Sequence, residues 1–202
     1  SAYREVGMFL MSALFDSCAD QMKENLPPII QMLHSGLVDD SFPVKMATLK
    51  AIQSFVMSCD DGSSHMDAIL PMIPLIIQVI QQCLASHQDS VALSAFEIFD
   101  ELVEKKSTSL DPSVPPMVAN MLEIVTNANV DMEVRERAAT FISWVIAFKP
   151  KIVIKQKMVP TLINVAFKLL VEPEEDEDLD ESEPTAYRTG SSLLDELAVG
   201  IP

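Results

Sequence analysis

Residues 26–30 read LPPII, and the chain returns to that arrangement three times, as LPMIP from Leu70, VPPMV from Val114 and VPTLI from Val159. The prolines that mark it, Pro27, Pro71, Pro115 and Pro160, stand 44, 44 and 45 residues apart. A fixed period of that size signals stacked supersecondary units instead of one globule. Proline is tolerated in a helix only near its start, where the amide hydrogen it lacks would have had no partner. Each marker is therefore expected early in an apolar helical run.

Outward from the markers, apolar residues fall three and four apart. They are Ile29, Ile30, Leu33 and Leu37 after Pro27, then Ile73, Ile76, Ile77, Ile80 and Leu84 after Pro71, then Met117, Val118, Met121, Leu122 and Val125 after Pro115. These form the first helix, A, of each unit. A polar turn follows in each case: Asp39-Asp40-Ser41, His87-Gln88-Asp89-Ser90 or Asn127-Ala128-Asn129. Its Asp and Ser are natural N-caps for a second amphipathic helix, B. The B helices are expected over 43–59, 90–104 and 131–148, and the same pattern opens the chain at 2–18 and closes it at 185–198.

The predicted fold is all-α, an α-α superhelix (solenoid) of about four to five helical hairpins, in units of roughly 1–20, 24–61, 66–106, 112–149 and 151–200. Units of about 40 to 47 residues match HEAT or armadillo repeats better than the 34-residue tetratricopeptide type. Two helices per unit, and a turn followed by Val44-Lys45 or Val134-Arg135, favour HEAT. Five B helices against four A helices, without polar caps at the flanks, lead us to expect a fragment of a longer array.

Composition agrees. Hydrophobic residues make up 49% of 202, with five glycines and twelve methionines, which suits packed helices and not a turn-rich β fold. Cys18, Cys59 and Cys83 are odd in number, widely spaced and set in apolar helical sequence, so we expect reduced, buried thiols of a cytosolic or nuclear protein. No signal peptide is evident. The apolar run Ile69–Ile80 is interrupted by Pro71 and Pro74 and falls short of the ~20 residues of a membrane span, so a soluble chain without membrane insertion is expected.

The formal charge is −16. Nine carboxylates crowd the twelve residues 172–183, and without them the balance is still 14 basic against 21 acidic residues. Such a chain repels nucleic acid and attracts basic proteins. The last hairpin is longer than the others by the length of this acidic stretch, which is read as an insertion between its A and B helices. As a calcium loop it lacks the central glycine of an EF-hand. A solvated, mobile segment and an interaction loop that steers a basic partner both fit the run Glu174, Glu175, Asp176, Glu177, Asp178, Asp180 and Glu181.

No enzyme signature is present. His34, His65 and His87 lack metal-site spacing and read as surface histidines, and there is no nucleophile elbow, phosphate-cradling glycine loop or paired catalytic carboxylate. Neither a catalytic residue, a metal nor a cofactor is assigned.

The stretches SAYREVGMFLMSAL at the start, ALSAFEIFDELVE at 92–104, RERAATFISWVIAFKPKIVIKQKMVPTLI at 135–163, the acidic insertion and LLDELAVGIP at the end together resemble the importin-β (karyopherin) family of nuclear transport receptors. The resemblance runs nearly end to end and rests on order and spacing, because no single HEAT motif is diagnostic. It implies a receptor fragment with an acidic inter-helix loop that shuttles between cytoplasm and nucleus. Its implied partners are basic cargo such as histones or ribosomal proteins, Ran-GTP and nucleoporin FG repeats. A HEAT scaffold that organises protein assemblies without transport is the alternative.

In this family the B helices face the cargo, which gives the B helix at 90–104 a role. Ala92, Phe96, Phe99 and Val103 form its apolar stripe, while Glu97, Asp100, Glu101 and Glu104 gather on another face with no Lys or Arg among them. Mutual repulsion there would be relieved by a basic ligand, although an ordinary solvated face gives the same pattern. Asp16, Asp20 and the pair Asp60-Asp61 extend the patch. Trp144, the sole tryptophan, borders the stripe Val134, Ala138, Phe141, Val145, where it either packs between B helices or covers a cargo lysine. Lys151, Lys155 and Lys157 make the one basic cluster, read as a solvated helix start or a contact for an acidic surface.

Overall fold

The computed structural model describes residues 2–60, 63–105, 108–173 and 184–201. Among them there are helices and no strand. The chain forms two compact units, Ser1–Ser113 and Val114–Pro202.

In the first unit α1 (Ala2–Lys23), α3 (Phe42–Met57) and α5 (Asp89–Glu104) are B helices packed side by side, with α3 in the middle. The A helices α2 (Leu26–Leu37) and α4 (Ile73–Ala85) lie beside each other and cover α3 and α5. The core is the surface between these two layers. From α2 it takes Ile29, Leu33 and Leu37, from α4 Ile73, Ile76, Val79, Ile80 and Cys83, and from α5 the whole expected stripe Ala92, Phe96, Phe99 and Val103.

In the second unit α6 (Val114–Val125) packs on α7 (Met132–Phe148), α9 (Val159–Leu170) packs on α10 (Ala186–Gly200), and the B helices α7 and α10 lie together. A short helix, α8 (Pro150–Lys155), follows α7 and packs against it. Side-chain caps start the B helices of this unit, whereas the Asp and Ser expected to cap α3 and α5 do not, since the N-caps there, Ser41 and Gln88, make no side-chain cap bond. The Asp131 carboxylate accepts the Glu133 amide at 2.9 Å to cap α7, and the Thr185 hydroxyl accepts the Arg188 amide at 3.2 Å to cap α10.

Several expectations need correction. α1 continues to Lys23 through a kink at Cys18, whose φ is −138° and ψ 35°. Cys59 and Cys83 are buried, but Cys18 is exposed. Pro71 lies in a 3-10 turn, Leu70–Met72, and the proline in the first turn of α4 is Pro74. The apolar run is also longer than read: Met66–Ala85 spans 20 residues, long and apolar enough to cross a membrane by length and composition. Here it is folded as two 3-10 turns, Met66–Ala68 and Leu70–Met72, followed by α4, one face of which lies in the core. The helix start read at Lys151 proves to be a separate short helix, α8, and the 3-10 turns were not anticipated.

Charged rungs tie successive hairpins. The Val-Lys and Val-Arg signals supply two of them, since each places a cation in the first turn of a B helix. Lys45 Nζ of α3 donates to Gln82 Oε1 near the end of α4 at 3.0 Å, and Arg135 of α7 grips Glu172 just after α9. Arg4 of α1 does the same with Asp39 after α2, at 2.7 and 3.0 Å. That guanidinium, with the Ser41 amide, holds the Asp39 carboxyl below its ordinary range, and Asp39 in turn raises Arg4. The corresponding place in α5 is Ala92, which has no donor to offer.

Candidate functional site

On α5, Glu97 and Glu104 are exposed while Asp100 and Glu101 are half-buried. Glu97 and Glu101 are both engaged within the first unit. Gln53 Nε2 of α3 donates to Glu97 Oε2, and Lys105 Nζ lies 3.8 Å from Glu101 Oε2. The expected like-charge face is therefore softer than the sequence suggests. The Lys105 ammonium balances Glu101, whereas the neutral Gln53 amide leaves the charge of Glu97 intact.

Lys105 does more than offset Glu101. Its Nζ donates to the Cys59 carbonyl, as Lys23 Nζ donates at 2.6 Å to the Ser58 carbonyl. Two lysines, one from each flanking B helix, thus cover the open carbonyls at the C-terminus of α3, where cations are favoured. The exposed carboxylate Asp20 lies 3.7 Å from the same Lys23. Asp16 and Asp60 are exposed, and Asp20, Glu24, Asp60 and His65 line a recess of about 300 Å³ with Lys23.

A second groove of about 300 Å³ crosses the three B helices of the first unit, walled by Glu5 and Phe9 of α1, Met46, Lys50 and Gln53 of α3, and Val91 and Ser94 of α5. Gln53 joins this groove to Glu97. The sequence reading passed over Lys50 and Gln53, although Gln53 precedes Glu97 by one repeat period and Lys105 follows Glu101 by one helical turn. Both signals were present.

In the second unit Trp144 is half-buried and stacked on Phe148 of its own helix, with ring centroids 5.3 Å apart and planes at 28°. Phe148 was the overlooked partner, legible as the i+4 neighbour. His34 and His87 are exposed, and His65 is half-buried with its Nδ1 at 3.1 Å from the Ser63 hydroxyl. Among the described residues no cluster of His, Cys, Asp and Glu could hold a metal ion. Asp61 and the loop carboxylates Glu174, Glu175, Asp176, Glu177, Asp178, Asp180 and Glu181 lie outside the described residues. The helices that flank this insertion, α9 and α10, are the A and B helices expected on either side of it. Glu172, the first carboxylate counted in the stretch, is committed to Arg135, which holds its carboxyl below the ordinary range.

A family model described as IPO5-like, TPR repeats matches residues 1–120, although the proline period is that of the longer HEAT unit. Importin-4 of Mus musculus is 24% identical over 220 residues, covering 100% of this chain and 20% of its own length. Importin-4 of Homo sapiens is 22% identical over 217 residues, covering 98% and 20%. The chain thus spans about a fifth of the length of these curated relatives.

Among solved structures, Kap121p bound to Pho4p superposes with a TM-score of 0.75 at 19% identity, over 98% of this chain and 20% of that one. A Kap121p mutant with three acidic residues changed to lysine gives 0.77 at 18% over 98% and 20%. Kap121p bound to RanGTP gives 0.69 at 20% over 85% and 18%. The fold is thereby that of karyopherin HEAT hairpins.

Proposed function

Because this chain belongs to the importin-β family, through its IPO5-like repeats, we propose that it is a segment of an importin-4-like nuclear transport receptor that binds basic protein cargo and acts by binding, without catalysis. Exposed carboxylates on the B helices carry this reading. Asp16 and Asp20 belong to α1, and Glu97 and Glu104 to α5, the two helices packed on either side of α3.

The mechanism is additive. An exposed ion pair contributes only ~0.2–1 kcal/mol. Several pairs made by one extended Lys- and Arg-rich segment combine into useful affinity, since each later contact forms at high effective concentration. The charge of the acidic insertion, Glu174–Glu181, raises the encounter rate with such a segment. Glu101 is a weaker contributor than its neighbours because Lys105 already compensates it. Trp144 and Phe148 offer an aromatic face on which the aliphatic stem of a cargo lysine can rest.

Histones and ribosomal proteins are the cargo this chemistry suits. Ran-GTP is proposed to favour release, nucleoporin FG repeats to serve passage, and the receptor to shuttle between cytoplasm and nucleus. Supporting these assignments, Kap121p has been solved with Pho4p, with Nup53p and with RanGTP.

The test is binding of a histone-tail peptide to the chain at rising salt. Glu97→Lys with Glu104→Lys should weaken binding on the order of tenfold, and salt should weaken the parent protein similarly. Binding insensitive to both would overturn the electrostatic mechanism. If the full-length receptor captures partners irrespective of their basicity and of Ran-GTP, it is a scaffold instead.

A further inference from the structure

We propose that α8 and the turn after it form a docking surface for an acidic protein segment bearing an aliphatic side chain. This surface is opposite in sign to the cargo-facing carboxylates and independent of them. Lys151 and Lys155 stand one helical turn apart on α8 and share a face, Ile154 lies to one side of that face, and Lys157 follows two residues after Lys155. All three lysines are exposed.

Arg4, Lys23, Lys105 and Arg135 each make an ion pair, whereas among the described residues none reaches these three lysines. In a chain with 30 acidic and 14 basic residues, a cation has more than two potential partners of its own. Among the described residues these three cations meet no carboxylate, which makes them a local excess of positive charge.

Ordinary structural roles do not account for the cluster. Lys155, in the last turn of α8, is favoured by the helix dipole, but Lys151 in the first turn gains nothing from it. Lys157 holds φ at 55°, a left-handed conformation that Gly or Asn adopts with less strain. Val153, fully buried, already anchors α8, yet Ile154 is 45% exposed. Lysines beside an exposed aliphatic side chain fit a segment that pairs Asp or Glu with an apolar anchor.

Nucleic acid is the poorer fit. Its backbone offers nothing to Ile154, and a long polyanion meets the net charge of −16. A short acidic peptide senses mainly charges within a screening length of about 8–10 Å.

The experiment is fluorescence anisotropy on the full chain at low salt. The probes are a labelled Glu-rich peptide with one central leucine, the same peptide with alanine there, and a single-stranded DNA oligonucleotide of equal charge. The leucine peptide should bind. Lys151→Glu, Lys155→Glu and Lys157→Glu together should weaken it at least on the order of tenfold, and Ile154→Ser should reduce it to the level of the alanine peptide. Lys157→Asn should weaken binding while raising the melting temperature, which separates docking from folding. If the glutamate triple variant loses its helical circular dichroism, the triple Lys→Gln variant makes the same comparison. Undetectable binding overturns the proposal, as does binding unchanged in the triple variants. Equal affinity for all three probes also overturns it, because the patch would then be an unspecific polyanion surface.

Discussion

Arg135 and Glu172 grip each other through two parallel hydrogen bonds, Nη1 to Oε1 at 2.7 Å and Nη2 to Oε2 at 2.6 Å, while Arg135 Nε donates to the Val125 carbonyl at 2.9 Å. Arg135 is only 4% exposed. One side chain in the first turn of α7 thus satisfies the open end of α6 and holds the chain as it leaves α9. Arg135→Ala leaves a carboxylate and a carbonyl without their donor and should cost about 2–4 kcal/mol, read from the urea midpoint. Glu172 has its carboxyl pKa depressed by this guanidinium, so its contribution is complete above the unfolded value of about 4.3 and fades as pH falls through the lower folded value. Glu172→Gln should flatten that acid-side loss of stability.

Three glycines should respond to alanine in opposite directions. A Cβ on Gly190 of α10 would stand 2.7 Å from the Ala166 carbonyl oxygen, and one on Gly36 of α2 would stand 2.2 Å from the buried Thr48 hydroxyl. Backbone cannot yield as a flexible side-chain end can, so Gly190→Ala should destabilise by about 1–3 kcal/mol, with Gly36→Ala also unfavourable. Gly7 of α1 meets nothing within 4 Å. Gly7→Ala should therefore stabilise by about 0.5–1 kcal/mol through helix propensity. Thermal melts of the three variants make the comparison.

Ser12 of α1 and Ser54 of α3 share a buried hydrogen bond of 2.8 Å. Removing either hydroxyl strands the other, a cost of about 1–3 kcal/mol, whereas removing both removes the unmet need. A double-mutant cycle should show Ser12→Ala with Ser54→Ala much less destabilised than the sum of the singles. Additive losses would contradict the pairing.

Thiol chemistry should distinguish the cysteines. Cys18 is exposed, whereas burial raises the Cys59 thiol against the opposing pull of Lys23 and Lys105, and burial pushes Cys83 up to about 11. At mildly alkaline pH the native protein should release one equivalent of thionitrobenzoate quickly from Ellman's reagent and the rest only on unfolding. The substitution Cys18→Ser should abolish the fast phase.

Much of the helical plan was legible along the chain, because its causes are local. The spacing of Ile73, Ile76 and Ile80 marks the core face of α4, Asp131 and Thr185 mark the starts of α7 and α10, and Pro27 and Pro160 mark first turns. Each signal acts over one or two turns of helix, within reach of a pattern read residue by residue. The same locality made Lys105 beside Glu101 and Phe148 beside Trp144 discoverable at i+4.

What the sequence alone determined, then, is a paired-helix period, the apolar face of each helix and an excess of negative charge. Only the tertiary structure decided which carboxylates find partners: Glu97 with the neutral Gln53, and Glu172 and Asp39 with the cations Arg135 and Arg4, are pairings across 44, 37 and 35 residues. It also decided that Cys18 faces outward at a kink and that Ile154 stays uncovered. The physical reason is register. Periodicity assigns a side chain to a face, but its partner is chosen by how far one helix slides and turns against the next.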